Sequence, residues 1–379
     1  MHDKRTVVLF IIPQLVIGGG ERVIVNLMGH LNRDRFSIYL AVLDMTDAIL
    51  LSDVPSDVTI FDLKATRVRY ALHKLLLLIW KLRPDIIFST ADHLSHGLAV
   101  TRFLWPMRSR FIVRRWGRLS ASFSGLRWKR LRILAHRTFA WCPNMTVFQS
   151  EDLKHDYFST LKMRECPNVV IENPVDICLV RQLAANEPKW PIFNKAMYNV
   201  VAAGRLSYEK GFDLLINAIA NVTNKNVRLT IIGEGPARKD LEHQICTQNI
   251  SDRVLLAGLQ ANPYQFFRAA DLFVLSSRYE AFPNVVLEAL ACGTPVVATR
   301  IPSLAPLLVE IPECDMVPVD SPMALSAAIE KYSRLGRRRV ADHVVEAFDV
   351  DQVCRKYEKL FGRLTTSSAN SNGGGNDLY

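Results

Sequence analysis

The stretch Leu272–Thr299, LFVLSSRYEAFPNVVLEALACGTPVVAT, decides how the chain folds. Leu272 to Leu275 is an apolar run of the length of a buried strand, and it breaks into a polar corner at Ser276, Ser277, Arg278 and Tyr279. Glu280 to Asn284 make a loop. Val285 to Ala291 then place apolar residues at helical spacing until Gly293 stops them, and Thr294 to Thr299 is the next strand. A strand, a loop and a helix in that order set the free N–H groups of the helix at the carboxyl edge of a parallel sheet, where open α/β folds bind ligands and an anion is favoured.

Two carboxylates stand in this unit, Glu280 on the loop and Glu288 inside the helix, at an E-x7-E spacing. The placement suits a phosphate at the helix start, with Glu280 accepting from hydroxyls beside it and Glu288 reaching a second diol such as a ribose. On spacing alone Glu288 reads equally well as a surface helix residue.

The block EAFPNVVLEALACGTPVVAT resembles the signature of the retaining glycosyltransferases of family 4, which have the GT-B fold. Further matches lie at Gly18 to Glu21, Gly204 to Gly211 and Gly233 to Pro236, and the resemblance runs to about Leu364. It implies two Rossmann-like, doubly wound α/β domains facing a cleft, with a C-terminal helix crossing back to the first domain. It also implies that Glu280, with the backbone of Ala281 and Phe282, holds the donor sugar's hydroxyls, that the amides of Asn284 and Val285 hold the diphosphate, and that Glu288 binds the ribose. Pro283 stands where many members have Gly, so one N–H is missing and the phosphate amides must follow it.

Working outward through the second half, Asn199 to Ala203 begins a new run of alternating strands and helices, and Gly204-Arg205-Leu206 ends its first strand. Lys210-Gly211 precedes a helix over Phe212 to Asn221. Arg205 and Lys210 thus fall at a carboxyl edge, where two cations can neutralise a diphosphate and stabilise it as a leaving group. A basic pair near a turn is ordinarily surface decoration. Here it matches the family's GRLxxEKG string. Leu259, in Gly258-Leu259-Gln260, is where the backbone of relatives meets the nucleotide base.

In the first half, Thr6 to Ile12 is a continuous apolar run, as expected of a strand buried on both faces, and Gly18, Gly19 and Gly20 lead into a helix expected over Glu21 to Leu31. A lone glycine-rich turn is a weak signal. It resembles the family's GGxER, whose loop lines the cleft, so Gly19 and Gly20 are expected at the donor. Tyr70 to Leu82 reads as a helix ended by Arg83-Pro84. Past the strand Asp85 to Ser89 come His93 and His96; a lone His is ordinarily structural, but in related enzymes one here faces the donor sugar. His93 is the first candidate and His96 the reserve.

From His93 to Ser150 there is no Asp or Glu, while eleven Lys and Arg fall within it, interleaved with Trp105, Trp116, Trp128 and Trp141. Residues 1–196 hold 28 Lys and Arg against 17 Asp and Glu, a net +11, whereas residues 197–379 hold 19 against 20. Basic residues attract anionic head groups and Trp favours the interface, so a peripheral membrane surface is the natural reading. A lipid-pyrophosphate acceptor site and a solvated face stay open, and nucleic acid is disfavoured for want of a binding motif. Arg114, Arg115 and Arg118 are the candidate acceptor or membrane contacts.

The length, 379 residues, suits two domains with full cores, and a 49% hydrophobic, 22% charged composition is that of a globular protein. The expected division is residues 1–185, a linker over 186–198, a nucleotide-sugar domain over 199–347, the terminal helix over 348–364 and a disordered tail over 365–379. Seven scattered Cys with no CxxC pair argue against a disulfide framework or a zinc site and suit a reducing cytosol. No run approaches the roughly 18 apolar residues of a membrane span, and the N-terminus reads as a first strand rather than a leader.

The activity so implied is transfer of a sugar from a nucleotide diphosphate, UDP being the commonest in such enzymes, to a lipid-linked or cell-envelope glycan such as polysaccharide or lipopolysaccharide. It needs no cofactor and no metal, and places the chain on the cytoplasmic face of the inner membrane. The competing readings are a GT-B sugar-nucleotide epimerase and a non-catalytic membrane-binding protein of the same fold.

Overall fold

The computed structural model describes residues 5–16, 18–123, 129–186 and 196–366. These divide into two compact units, residues 1–174 with 350–379, and residues 175–349.

The first unit is built on seven strands, β1 (Thr6–Ile12), β2 (Phe36–Val42), β3 (Thr59–Asp62), β4 (Ile86–Ser89), β5 (Arg110–Arg114), β6 (Met145–Phe148) and β7 (Asn168–Val170). Their order is β3-β2-β1-β4-β5-β6-β7, every pairing parallel. The helices between them are α1 (Gly19–His30), α2 (Val68–Leu82), α3 (Asp92–Thr101), α4 (Leu119–Ser122), α5 (Lys129–Phe139) and α6 (Glu151–Leu161). The strand order reverses between β1 and β4, so the loops after those two strands border the crevice of a doubly wound sheet. Central strands such as β1 are apolar throughout because both faces are covered. One face packs under α1, and the other under α2 and α3.

The second unit begins with α7 (Ile177–Ala184) and continues β8 (Tyr198–Ala203), α8 (Phe212–Asn221), β9 (Val227–Ile232), α9 (Arg238–Thr247), β10 (Val254–Gly258) and α10 (Tyr264–Ala269). It ends β11 (Leu272–Leu275), α11 (Asn284–Ala291), β12 (Val296–Thr299), α12 (Ala305–Leu308), β13 (Asp315–Val317) and α13 (Pro322–Leu335). The order β10-β9-β8-β11-β12-β13 is again wholly parallel, and it reverses between β8 and β11. The chain then returns to the first unit as α14 (Val350–Thr366), whose Val350, Val353, Tyr357, Leu360 and Phe361 enter the core beneath α1.

The boundary falls at Pro174, not after residue 185. Helix α7 carries its apolar face into the second unit's core through Ile177, Val180 and Ala184, and Val175 N donates to Phe348 O at 2.9 Å. The linker expected over 186–198 lies almost wholly outside the described residues, as does the tail beyond Thr366. Helix α1 starts at Gly19, two residues before the expected Glu21, because Gly18 in extended conformation acts as its N-cap. Helix α13 begins behind Ser321, whose Oγ accepts from Ala324 N at 3.3 Å.

Candidate active site

In the second unit the loops after β8 and β11 meet at the point where strand order reverses. Lys210, at the end of the first loop, donates from Nζ to Glu280 Oε1 at 2.5 Å, and Ser277 Oγ donates to the same oxygen at 2.8 Å. Both charged side chains are mostly buried, at 21% and 12% exposure, so the pair is screened less than one on the open surface. Arg205 stands exposed at the end of β8.

The two loops are pinned together along their backbones. Ser276 Oγ donates to Lys210 O at 2.8 Å, Arg278 N to Glu209 O at 2.8 Å, and Arg278 Nη1 to Tyr208 O at 2.7 Å. The Arg278 guanidinium also grips Asp213 through two bonds of 2.8 and 2.7 Å, reaches Asp320 at 2.8 Å, and lies 4.1 Å over the Tyr208 ring. The hydrogen bonds to Asp213, with its charge, raise the Arg278 pKa further, and it is a permanent cation. Thr299 Oγ1 donates to Ser277 O at 2.5 Å, fixing the strand end that carries Ser277. Burial pushes the Glu209 carboxyl up, but the Ser207 hydroxyl, its own backbone and the charges of Lys210 and Arg205 outweigh it and hold the group below its ordinary range.

Two glycines make this approach feasible. A Cβ on Gly211, at φ +62°, would lie 2.2 Å from Ser276 O, and one on Gly233, at φ +142°, would lie 1.9 Å from Gly204 O. Both are backbone atoms with no room to yield, so the GRLxxEKG and GEGP strings keep glycine where β8, β9 and β11 converge.

Helix α11 starts at Asn284 behind Pro283, with no side chain capping it. Its first turn therefore keeps the positive end of the helix for an anion. Glu288 lies one turn on, half-buried. Ala281 is half-buried, Phe282 stacks on Phe348 with ring centroids 6.0 Å apart, and Val285 leans on the core. Leu259 is exposed beside Gly258. The donor residues expected in the second half of the chain thus fall on one edge of one unit.

In the first unit, Gly19 and Gly20 form the first turn of α1. A Cβ on Gly20 would lie 2.8 Å from the Trp116 indole, so this glycine makes room for a ring. Glu21, beside it, is buried, which pushes its carboxyl up, with a backbone hydrogen bond pulling the other way. His93 is exposed and lines a cavity of about 560 Å³ with Gln14, Asp44, Arg67 and Arg69. His96 instead packs edge-on to His136, centroids 4.2 Å apart, and burial together with the His136 and Arg115 charges lowers it to about 4. The reserve candidate is therefore turned into the protein. Thr90 Oγ1 and Trp116 Nε1, both buried at this carboxyl edge, have no hydrogen-bond partner.

Of the three arginines expected at an acceptor or a membrane, Arg114 and Arg115 are buried and Arg118 is half-buried. Arg114 is 1% exposed and donates from Nε to Tyr357 Oη at 3.0 Å and from Nη2 to Asn173, tying β5 to α14. Arg115 is 4% exposed, pairs with Asp92 and donates to Tyr157 Oη at 2.9 Å. Arg118 is held by Asp152 and Asp156. The local sequence holds no acid, but the fold brings acids and hydroxyls from α3, α6 and α14, so these charges are internal ties. Trp105 is likewise buried, its Nε1 donating to Thr101 Oγ1 at 3.1 Å, while Trp128 lies outside the described residues. Ser277, Arg278 and Thr299 had no assigned role in the sequence; the polar corner SSRYE was the one visible signal for the first two, and Thr299 had none.

The family models called Glycosyltransferase Family 4 and Glycosyl transferases group 1 match residues 17–178 and 198–334. The chain belongs to the family 4 glycosyltransferases. Among its relatives, this glycosyltransferase is 27% identical over 270 residues to the uncharacterized glycosyltransferase MJ1059 of Methanocaldococcus jannaschii, covering 68% of this chain and 65% of the relative. It is 35% identical over 132 residues to the lipopolysaccharide core biosynthesis glycosyltransferase LpsD of Rhizobium meliloti, covering 35% of this chain and 38% of the relative. The matched parts thus span less than two thirds of either relative's length. The crystal structure of Anabaena Alr3699/HepE in complex with UDP and glucose superposes with a TM-score of 0.78 at 19% identity, covering 95% of this chain and 100% of that one. At that identity the likeness speaks for the fold, which is the two-domain GT-B architecture expected of family 4.

Proposed function

We propose that this glycosyltransferase moves a sugar from a nucleotide diphosphate, UDP foremost, to a hydroxyl of a lipid-linked or cell-envelope glycan, with retention at the anomeric carbon. The observation that carries the reading is the Lys210–Glu280 pair at the strand-order reversal, beside the uncapped start of α11. When a donor enters, Lys210 exchanges Glu280 for the diphosphate and joins Arg205 there, while the amides of Asn284 and Val285 bind the phosphate oxygens. The freed Glu280 carboxylate, kept in position by Ser277, accepts from the sugar hydroxyls beside the amides of Ala281 and Phe282. Glu288 binds the ribose, and the backbone at Leu259 meets the base.

The sugar–phosphate bond breaks with its electron pair passing to the diphosphate, whose negative charge Arg205, Lys210 and the helix start stabilise. The acceptor oxygen bonds the anomeric carbon on the same face, and a donor phosphate oxygen takes its proton. In this reading no divalent cation is required. Within the first unit, His93 and the loop at Gly19 and Gly20 are the proposed substrate contacts, and the unpartnered Thr90 Oγ1 and Trp116 Nε1 are available to a hydroxyl. Among the described residues no helix is long and apolar enough to cross a membrane, and the proposed station is peripheral, on the cytoplasmic face of the inner membrane. The lipopolysaccharide-core name of the Rhizobium relative supports the acceptor class.

The test is incubation with a panel of labelled nucleotide sugars, with and without lipid extract and with EDTA. The expected result is acceptor-dependent, EDTA-insensitive release of UDP and a sugar-bearing lipid product. Release without acceptor, giving an isomerised sugar, would make the protein an epimerase; no release with any donor would make it a binding protein.

A further inference from the structure

The basic, Trp-bearing stretch has its buried arginines accounted for, and what it leaves outside is a helix face. On α5 and just past it, Arg130, Leu134, Arg137 and Trp141 recur at four- and three-residue intervals, one side of a helix, with Leu131 beside them. Leu131, Leu134 and Trp141 are 62%, 58% and 58% exposed, and Arg130, Arg132 and Arg137 are exposed as well. The opposite side is inward, where His136 packs on His96 and Phe123.

Exposed apolar side chains also follow α3. Arg102 Nη2 donates to Asn144 Oδ1 at 3.3 Å, which brings the segment after α3 against the turn that follows α5. That segment leaves Phe103 81% and Met107 95% exposed. The acids of α6, which packs on α5, are already engaged: Asp152 and Asp156 with Arg118, Glu151 with Lys154. No acid of the local sequence offsets the arginines.

We propose that this face, Leu131, Leu134 and Trp141 flanked by Arg130 and Arg137, docks the protein on an anionic lipid bilayer. Leucines seat among the acyl chains, the indole sits at head-group level, and the guanidiniums pair with lipid phosphates. Bare leucines separated by cations suit an interface that is apolar within and negative at its rim. The inference rests on the proposed membrane-bound acceptor, but it is read by binding alone.

Full-length protein is spun with vesicles of phosphatidylcholine, or of phosphatidylcholine with 30% phosphatidylglycerol. Binding is expected to the anionic vesicles only, and to weaken with salt. The Leu131→Glu/Leu134→Glu variant should bind at least tenfold more weakly, and the Arg130→Gln/Arg137→Gln variant roughly thirtyfold. Lys331→Gln/Arg334→Gln, which removes the same charge from the second unit, should bind like wild type. A blue shift of emission on anionic vesicles should be smaller in Trp141→Phe. Wild-type binding by both α5 variants, equal loss in the second-unit control, or no vesicle binding by wild type would overturn the proposal. So would a wild-type dimer that Leu131→Glu/Leu134→Glu dissolves, since the occupant would then be a second copy. Sugar transfer to a water-soluble acceptor should persist in every variant; its absence in wild type too would count against the catalytic reading and leave the vesicle result standing.

Discussion

Lys210 Nζ and Glu280 Oε1 sit 2.5 Å apart, joining the loops that follow β8 and β11. The lysine and the carboxylate proposed to serve opposite ends of the sugar–phosphate bond neutralise one another across this contact. A donor held as proposed replaces the ion pair, so a change in either partner bears on the other. Lys210→Ala should lower kcat by roughly 10²–10³-fold, the scale for losing one charge-stabilising group. Glu280→Gln should raise KM for the donor sugar while nucleotide affinity holds or improves, because Lys210 is then unpaired. Steady-state kinetics with calorimetry of UDP binding separates the two; equal losses of nucleotide affinity in both variants would contradict the division of roles.

Arg278 touches the Lys210 loop through backbone and aromatic contacts and is proposed as a positioning residue. Arg278→Met should raise KM for the donor several-fold and lower Tm, since Asp213 and Asp320 lose their partner. Arg278→Lys should not rescue it, because an ammonium cannot grip Asp213 in two parallel bonds. Full rescue by lysine would reduce the role to simple charge.

Glu288→Ala should weaken UDP binding by roughly 1–3 kcal/mol, the scale for a hydrogen bond to a charged group. Titration calorimetry measures it, and unchanged affinity would remove Glu288 from the ribose.

Arg114→Met keeps the length of the side chain but strips Tyr357 Oη of its donor and Asn173 of one contact. A buried group left unpaired costs about 1–3 kcal/mol. The variant should therefore melt at a lower temperature yet bind anionic vesicles as wild type does. Lost vesicle binding with unchanged Tm would restore Arg114 to the surface.

His96 and His136 are both lowered to about 4, burial being the largest cause in each. Between pH 4 and about 6.5 the unfolded chain therefore binds more protons at these rings than the folded one. Their contribution is present in full above pH 6.5 and is lost as the pH falls toward 4. Thermal melts across this window should show Tm dropping with pH, and His136→Phe should flatten the drop.

Much of the fold was legible because a parallel strand buried on both faces writes itself as an unbroken apolar run, as in Thr6 to Ile12 and Leu272 to Leu275. The donor edge was legible because its glycines are forced: Gly211 and Gly233 face backbone oxygens that tolerate no side chain. The arginines were not. A charge run records what a segment carries, and the partners of Arg114 and Arg115 lie on remote segments, at Asn173, Tyr357, Asp92 and Tyr157. The Arg278 clamp was hidden likewise, since Tyr208, Asp213 and Asp320 come together only when β8, β11 and the loop after β13 are aligned. Gly20 shows a third kind of concealment, a glycine that matches a ligand-binding turn while making room for Trp116.

The return of the chain as α14 has a consequence for the order of assembly. Tyr357, Leu360 and Phe361 complete the core beneath α1, yet they are synthesised after the whole of the second unit. The second unit can mature before they emerge, whereas the first, though begun earlier, must wait with an open seam until α14 has been made.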